Sequence, residues 1–111
     1  MAKKVEGIKV EWDQAKSDAN VKKHGISFET AALVFADEFR IEYLDKIHST
    51  DEDRYITLGY VYNVLFVVYT MRGETHRIIS ARIANKTERR IYYGKKENRK
   101  NCHTQRTETN P

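Results

Sequence analysis

The side chains of this chain best suited to chemistry on an anion lie between positions 77 and 90, in the stretch RIISARIANKTERR. Arg77 and Arg82 stand at the two ends of the IISA run. A guanidinium matches a phosphate better than any other side chain, because its planar fork donates two parallel hydrogen bonds and stays charged at any working pH. In RNA cleavage without a metal, the neighbouring 2′-hydroxyl attacks the phosphorus and the transition state carries extra charge on the phosphoryl oxygens. One preorganised donor there is worth about 2.7–4 kcal/mol. A surface ion pair with Glu74 or Glu88 explains either arginine, taken alone, about as well.

Proton carriers are the second requirement. His48 lies in a polar loop with Asp45, Asp51, Glu52 and Asp53, and a carboxylate beside an imidazole tunes general acid–base catalysis. Glu52 is the carboxylate candidate of that loop, which is also acidic enough to bind an arginine of a partner. Tyr92, near Arg89, could stack on a base or carry a proton, although an aromatic at that position serves a core equally well. His24 falls at a helix end, where it can bond the last carbonyls, and His76 faces away from Arg77. The histidines have no metal-ligand spacing and the single Cys102 forms no internal disulfide, so neither metal nor cofactor is expected. No glycine-rich phosphate loop, HExxH or GxSxG is present.

Those residues need elements to hold them. Ile8 to Glu11 reads as a strand. Asp13 can cap a helix running to about Lys23, ended by Gly25 in a left-handed turn. Ser27 caps a second helix whose Phe28, Ala31, Ala32 and Phe35 fall on one face. Phe39, Ile41 and Tyr43 alternate with polar residues as in a strand, and DKIHSTDED is a loop. Strands over 54–60, 64–71 and 75–83 form an antiparallel meander, and Asn85 with Glu88 resembles a capping box for a last helix. In the arginine strand Ile79, Ala81 and Ile83 should face the core. Ser80 and Arg82 then share the open face, while Arg77 has core parity and must curl around the strand end. The expected fold is α+β, in the order βααββββα, with the helices gathered on one sheet face.

A chain of 111 residues is one domain; residues 1–94 read as that domain and 95–111 as a polar, basic, disordered tail. No apolar run approaches the ~18 residues of a membrane span, and the start lacks a signal-peptide core, so a cytoplasmic location is expected. The net charge of +4 is unevenly placed. Residues 1–71 carry 9 Lys/Arg against 12 Asp/Glu, whereas residues 72–111 carry 11 against 4. Such asymmetry hints at an anionic partner such as RNA, and a solvated face with a basic tail explains it nearly as well.

The order EWDQAKSDANVKKHGISFETAALVFAD, then D..HS...EDR, then RIISARIANKTERRIY resembles the BrnT family of bacterial type II toxin–antitoxin toxins over roughly residues 10–93. The resemblance implies a fold like the RelE ribonucleases and metal-independent RNA cleavage that inhibits translation and growth. It also implies neutralisation by a BrnA-type antitoxin with a ribbon-helix-helix DNA-binding part. The hetero-oligomer would reach operator DNA only through that antitoxin. Matching positions include Trp12, Lys23, His24, Gly25, Phe28, His48, Glu52, Arg54, Arg77, Ser80, Arg82, Glu88, Arg89 and Tyr92. Arg77, Arg82, His48, Glu52 and Tyr92 are then the catalytic candidates, with Ser80, Lys23, Arg54 and Arg89 joining the two arginines on phosphate. An alternative from another class is a non-catalytic partner subunit whose basic strand docks an acidic segment of a DNA-binding antitoxin and modulates repression.

Overall fold

The computed structural model describes residues 1–94; the expected tail at 95–111 lies outside them. Six strands and three helices are built in the order β1 (Ala2–Val5), β2 (Ile8–Glu11), α1 (Gln14–His24), α2 (Phe28–Ala31), β3 (Ile41–Leu44), β4 (Tyr55–Tyr60), β5 (Val64–Arg72), β6 (Thr75–Ile83) and α3 (86–94). The class is α+β as expected, but the order is not. A strand precedes the expected first one, and α2 is a single turn that tightens into a 3-10 segment at Ala32–Ala36.

The added strand comes from a two-residue turn. Glu6 and Gly7 both have positive φ, 51° and 83°, and two such residues give the turn twist that pairs adjacent antiparallel strands. β1 and β2 pair from Ala2↔Glu11 to Val5↔Ile8. β2 then lies parallel to β6, so the sheet order is β1-β2-β6-β5-β4-β3. The antiparallel meander from β4 to β6 is present.

Local signals start and stop the helices as read. Asp13 accepts from the Lys16 amide at 3.1 Å, Gly25 closes α1 at φ 75°, and Ser27 accepts from the Thr30 amide at 3.1 Å. Buried Asn20 staples α1 to the sheet: its amide donates to the Ile26 and Ala81 carbonyls, each at 2.8 Å, and its oxygen accepts from the Ala81 amide. The 3-10 segment comes so close to β4 that a Cβ on Gly59 would lie 2.7 Å from Val34 Cβ. Glycine is what allows that approach.

The helices do not gather on one face. Cross-strand partners share a face, so the ladders sort the sheet side chains. Leu65, Val67, Tyr69, Ile78 and Ala81 pack with Trp12, Ile26, Phe28 and Phe35 beneath α1 and α2. Ile56, Leu58 and Val64 point the other way and pack with Ala84 and Tyr92 beneath α3. α3 therefore covers the second face only over the end nearest the β4–β5 turn; towards the β5–β6 hairpin that face is open in part, with Thr70 2% exposed and the Arg77 side chain 30% exposed.

Candidate nucleic-acid interface

The pairing of β6 with β5 slips once. Val68 lies opposite Ser80 but Tyr69 lies opposite Ile78, leaving Ile79 as the extra residue of a β-bulge. A bulge resets the alternation, and the expected parity fails for that reason. Only the residues before the bulge change face: Ile78 is buried at 2% exposure, whereas Ala81 and Ile83 keep the expected core parity, Ile83 lying opposite Leu65 at the strand end with 41% exposed. Arg77 pairs with Thr70, Ser80 with Val68 and Arg82 with Phe66, which puts all three polar side chains on the half-covered face. Arg77 needs no route around the strand end.

The two arginines have different surroundings. Arg82 makes a two-pronged bond to Glu88, Nη1 to Oε1 and Nη2 to Oε2, both 2.8 Å. Its guanidinium also lies 3.9 Å from the centroid of the Phe66 ring. Glu88 is held in turn by the Asn85 amide at 2.9 Å, while its own amide donates to Asn85 Oδ1 at 2.8 Å, completing the expected capping box. Burial pushes the Glu88 carboxyl up, but the bonds from Arg82 and Asn85 and the charge of Arg82 outweigh it and hold the carboxyl below its ordinary 4.5. The hydrogen bond to Glu88 raises Arg82 further. Arg77 instead makes one bond, Nη1 to Glu11 Oε2 at 2.9 Å, with both side chains 30% exposed. Its remaining N–H groups have no protein acceptor among the described residues.

The 45–54 loop reaches the same end. Thr70 Oγ1, on the residue paired with Arg77, donates to the Asp53 carbonyl at 3.0 Å, and the Arg54 carbonyl accepts from the Asp45 amide at 2.7 Å. His48 Nδ1 is 2.9 Å from Asp45 Oδ2 on an exposed side chain. Desolvation raises Asp45, but the side-chain and backbone bonds from His48, its charge and the Ile47 amide outweigh it and leave the carboxyl below its ordinary 3.8. Glu52 is exposed on the loop and Arg54 half-buried at its end.

Other candidates are not brought here. Tyr92 is 1% exposed, and its hydroxyl donates to Asp37 Oδ2 at 2.5 Å, so it is a core residue that anchors α3. Arg89 bonds the Ala84 carbonyl at 2.8 Å, closing the start of α3. Lys23 belongs to α1, which packs against the opposite face of the sheet. His76 shares that opposite face, as expected.

Three residues of the interface were not foreseen. Lys4 and Lys9 are cross-strand partners, and Lys9, two residues before Glu11, shares the face of Arg77. Both are exposed and extend positive charge along the β1–β2 ribbon. Their signal was the AKKV-EG-IKVE pattern, two short runs joined by a residue and a glycine. Tyr43 lies in the cross-strand row of Ile56, Val68 and Ser80. Burial, then the charges of Glu88 and Asp45, raise its pKa above the ordinary 10, so its hydroxyl stays a proton donor.

The basic, half-covered sheet face and the acidic histidine loop thus stand at one end of an α+β domain. Residues 12–88 match the family model described as "Ribonuclease toxin, BrnT, of type II toxin-antitoxin system". The crystal structure of the Brucella abortus ribonuclease toxin BrnT is similar in fold, with a TM-score of 0.51 and 22% identity over 69% of this chain and 96% of that one. No curated relative matches the chain. The chain belongs to the BrnT family of ribonuclease toxins of type II toxin–antitoxin systems. Among the described residues, no helix is long and apolar enough to cross a membrane.

Proposed function

We propose that this chain is a metal-independent endoribonuclease whose substrate phosphate binds at Arg77 on the open end of the sheet. The observation that carries this reading is the placement of Arg77: on the half-covered face, part-exposed, and held by one bond, to Glu11. That anchoring orients the guanidinium without consuming its fork, the preorganisation that stabilises charge developing on phosphoryl oxygens. The 2′-oxygen attacks phosphorus as the bond to the 5′-oxygen breaks, leaving a 2′,3′-cyclic phosphate and a 5′-hydroxyl. Lys4 and Lys9 add attraction for the flanking backbone. His48, paired with Asp45, is the proton carrier that the loop offers, with Glu52 beside it. Ser80 lines the face, and Arg82 supports it from its pair with Glu88.

The partner in this reading is a BrnA-type ribbon-helix-helix antitoxin, which silences the toxin by covering the basic face and carries the complex to operator DNA. Purified protein incubated with RNA in EDTA should produce fragments ending in 2′,3′-cyclic phosphate. Intact RNA under those conditions, together with unimpaired antitoxin binding, would establish instead a non-catalytic subunit that tunes repression.

A further inference from the structure

The sheet ends in two outer strands, β1 and β3, and their sequences differ in kind. An outer strand leaves a row of backbone N–H and C=O groups unpaired, a template on which another strand can add. Along β1 the sequence AKKV sets Lys3 and Lys4 in the middle of the strand, and lysine is the residue that edge strands use to discourage such pairing. Along β3 the sequence IEYL holds no lysine. It presents Tyr43 and Leu44, 39% and 38% exposed, one on each face, and Ile47 lies exposed just beyond.

The ladder with β4 decides which groups are free. The Asp45 amide donates to the Arg54 carbonyl at 2.7 Å. By the alternation of an antiparallel pair, Asp45, Tyr43 and Ile41 turn their backbone groups towards β4, and Glu42 and Leu44 turn theirs outwards. Those two N–H and two C=O groups meet no strand among the described residues. The edge is also fixed. The Tyr69 hydroxyl donates to Glu42 Oε1 at 3.0 Å, and Arg40 binds the other Glu42 oxygen. A preorganised edge leaves little ordering cost on this side of a new pairing.

A groove of about 360 Å³ opens beside this edge, on the sheet face that carries α1 and α2. It is lined by Glu42 and Leu44 of β3, Tyr55 of β4, Met71 of β5 and His76 of β6. Side chains of an added strand alternate between the two faces. The one placed beside Leu44 reaches the groove, where Tyr55 and Met71 are only half-buried. Strand addition takes its affinity from backbone bonds and its specificity from pockets of this kind.

Charge selects the occupant. Residues 37–53 carry 7 Asp/Glu against 2 Lys/Arg in a chain whose net charge is +4, and Asp51, Glu52 and Asp53 are exposed in the loop after β3. Phosphate is repelled here, and so is a second copy, which would set this acidic segment against itself. Residues 95–111 are basic but contain no Val, Ile, Leu, Met, Phe, Tyr or Trp with which to cover Tyr43 and Leu44. We propose that β3 is a strand-addition site for the antitoxin, which pairs an extended, positively charged segment with Glu42 and Leu44 and places an apolar side chain in the groove. The assignment needs only the toxin–antitoxin membership and stands apart from the RNA-cleaving reading of the arginine face. A partner that also covers that basic face must then hold its acidic and basic residues in separate segments.

The test is amide hydrogen exchange on the full chain, free and in complex with its antitoxin. The Glu42 and Leu44 amides should exchange quickly in the free chain and slow by about tenfold or more in the complex. Leu44→Lys, which copies the guard of β1, should weaken the complex by roughly tenfold or more. Leu44→Ile should keep it, and both variants should melt near the parent temperature. An octapeptide of alternating lysine and valine should slow the same two amides, and its glutamate–valine counterpart should not; equal protection by the two would overturn the selection by charge. Fast exchange at both amides in a complex that still blocks RNA cleavage would overturn the edge assignment and leave the arginine-face reading standing. Slowed amides in the complex of a chain that cuts no RNA would do the opposite. Slow exchange already present in the free chain would also reject the proposal, in favour of residues 95–111 if it is independent of concentration and of a second copy if it grows with concentration.

Discussion

Arg77 and Arg82 occupy one strand and one face, five residues apart, yet they are built for different work. Arg82 is surrounded: a carboxylate grips both ends of its fork, and an aromatic ring covers one side. Arg77 is anchored at one point beside an opening. A fully satisfied guanidinium holds structure together, here the start of α3 against β5 and β6. A partly satisfied one has donors to offer a ligand. Charge and residue type are identical in the two cases, so the surroundings alone separate the roles.

The contrast can be broken by mutation, and the largest effect should fall on catalysis. Arg77→Ala is expected to slow RNA cleavage by about 10²–10³-fold, equivalent to roughly 2.7–4 kcal/mol of barrier. Its unfolding free energy should change by less than about 1 kcal/mol, because the lost pair is partly exposed. Arg82→Ala should show the reverse emphasis, a loss of about 1–2 kcal/mol in urea unfolding as Glu88 and the Phe66 contact lose their partner. Equal damage to stability from both variants would erase the distinction.

A pH series sharpens the comparison further. The Glu88 carboxyl is depressed in the folded chain, so its contribution is complete above the unfolded value, near 4.5, and is lost as pH falls through the lower folded value. Between about pH 5 and 3, the parent should therefore lose more stability than Glu88→Gln, in unfolding curves at matched ionic strength. The smallest effect concerns the ribbon that carries Lys4 and Lys9. Glu6 sits at φ 51°, which asparagine tolerates better, so Glu6→Asn should raise stability by roughly 1 kcal/mol or less.

Most of the elements that place the arginines were legible because their signals are local. Caps at Asp13 and Ser27, the glycine at 25, the Asn85–Glu88 box and the period-two runs of the meander depend on neighbours a few residues away. The bulge was not legible. It depends on how β6 meets β5, and RIISAR read with a strict period of two gives the wrong face for Arg77 and Ile78. The carboxylate that claims Arg82 was named among the options, but only the fold of α3 across the sheet decides for Glu88 over Glu74. β1 was missed although its turn was visible, because four residues with two lysines carry little hydrophobic pattern. Tyr43 and the groove were hidden for a third reason: their residues come from four strands, and no spacing in the sequence links Glu42, Tyr55, Met71 and His76.

Asp37 joins parts of the chain that are made at very different times. Its Oδ2 accepts the amide of Tyr60 at 2.8 Å and the hydroxyl of Tyr92 at 2.5 Å, partners 23 and 55 residues further on. During synthesis, the sheet can close on the first contact while the second is still unmade. Until Tyr92 arrives, Leu58 and Val64, both fully buried in the finished fold, have no cover from α3. A chain cut short before that tyrosine would keep its strands and arginines but present a bare apolar strip, a sticky intermediate instead of a smaller working domain.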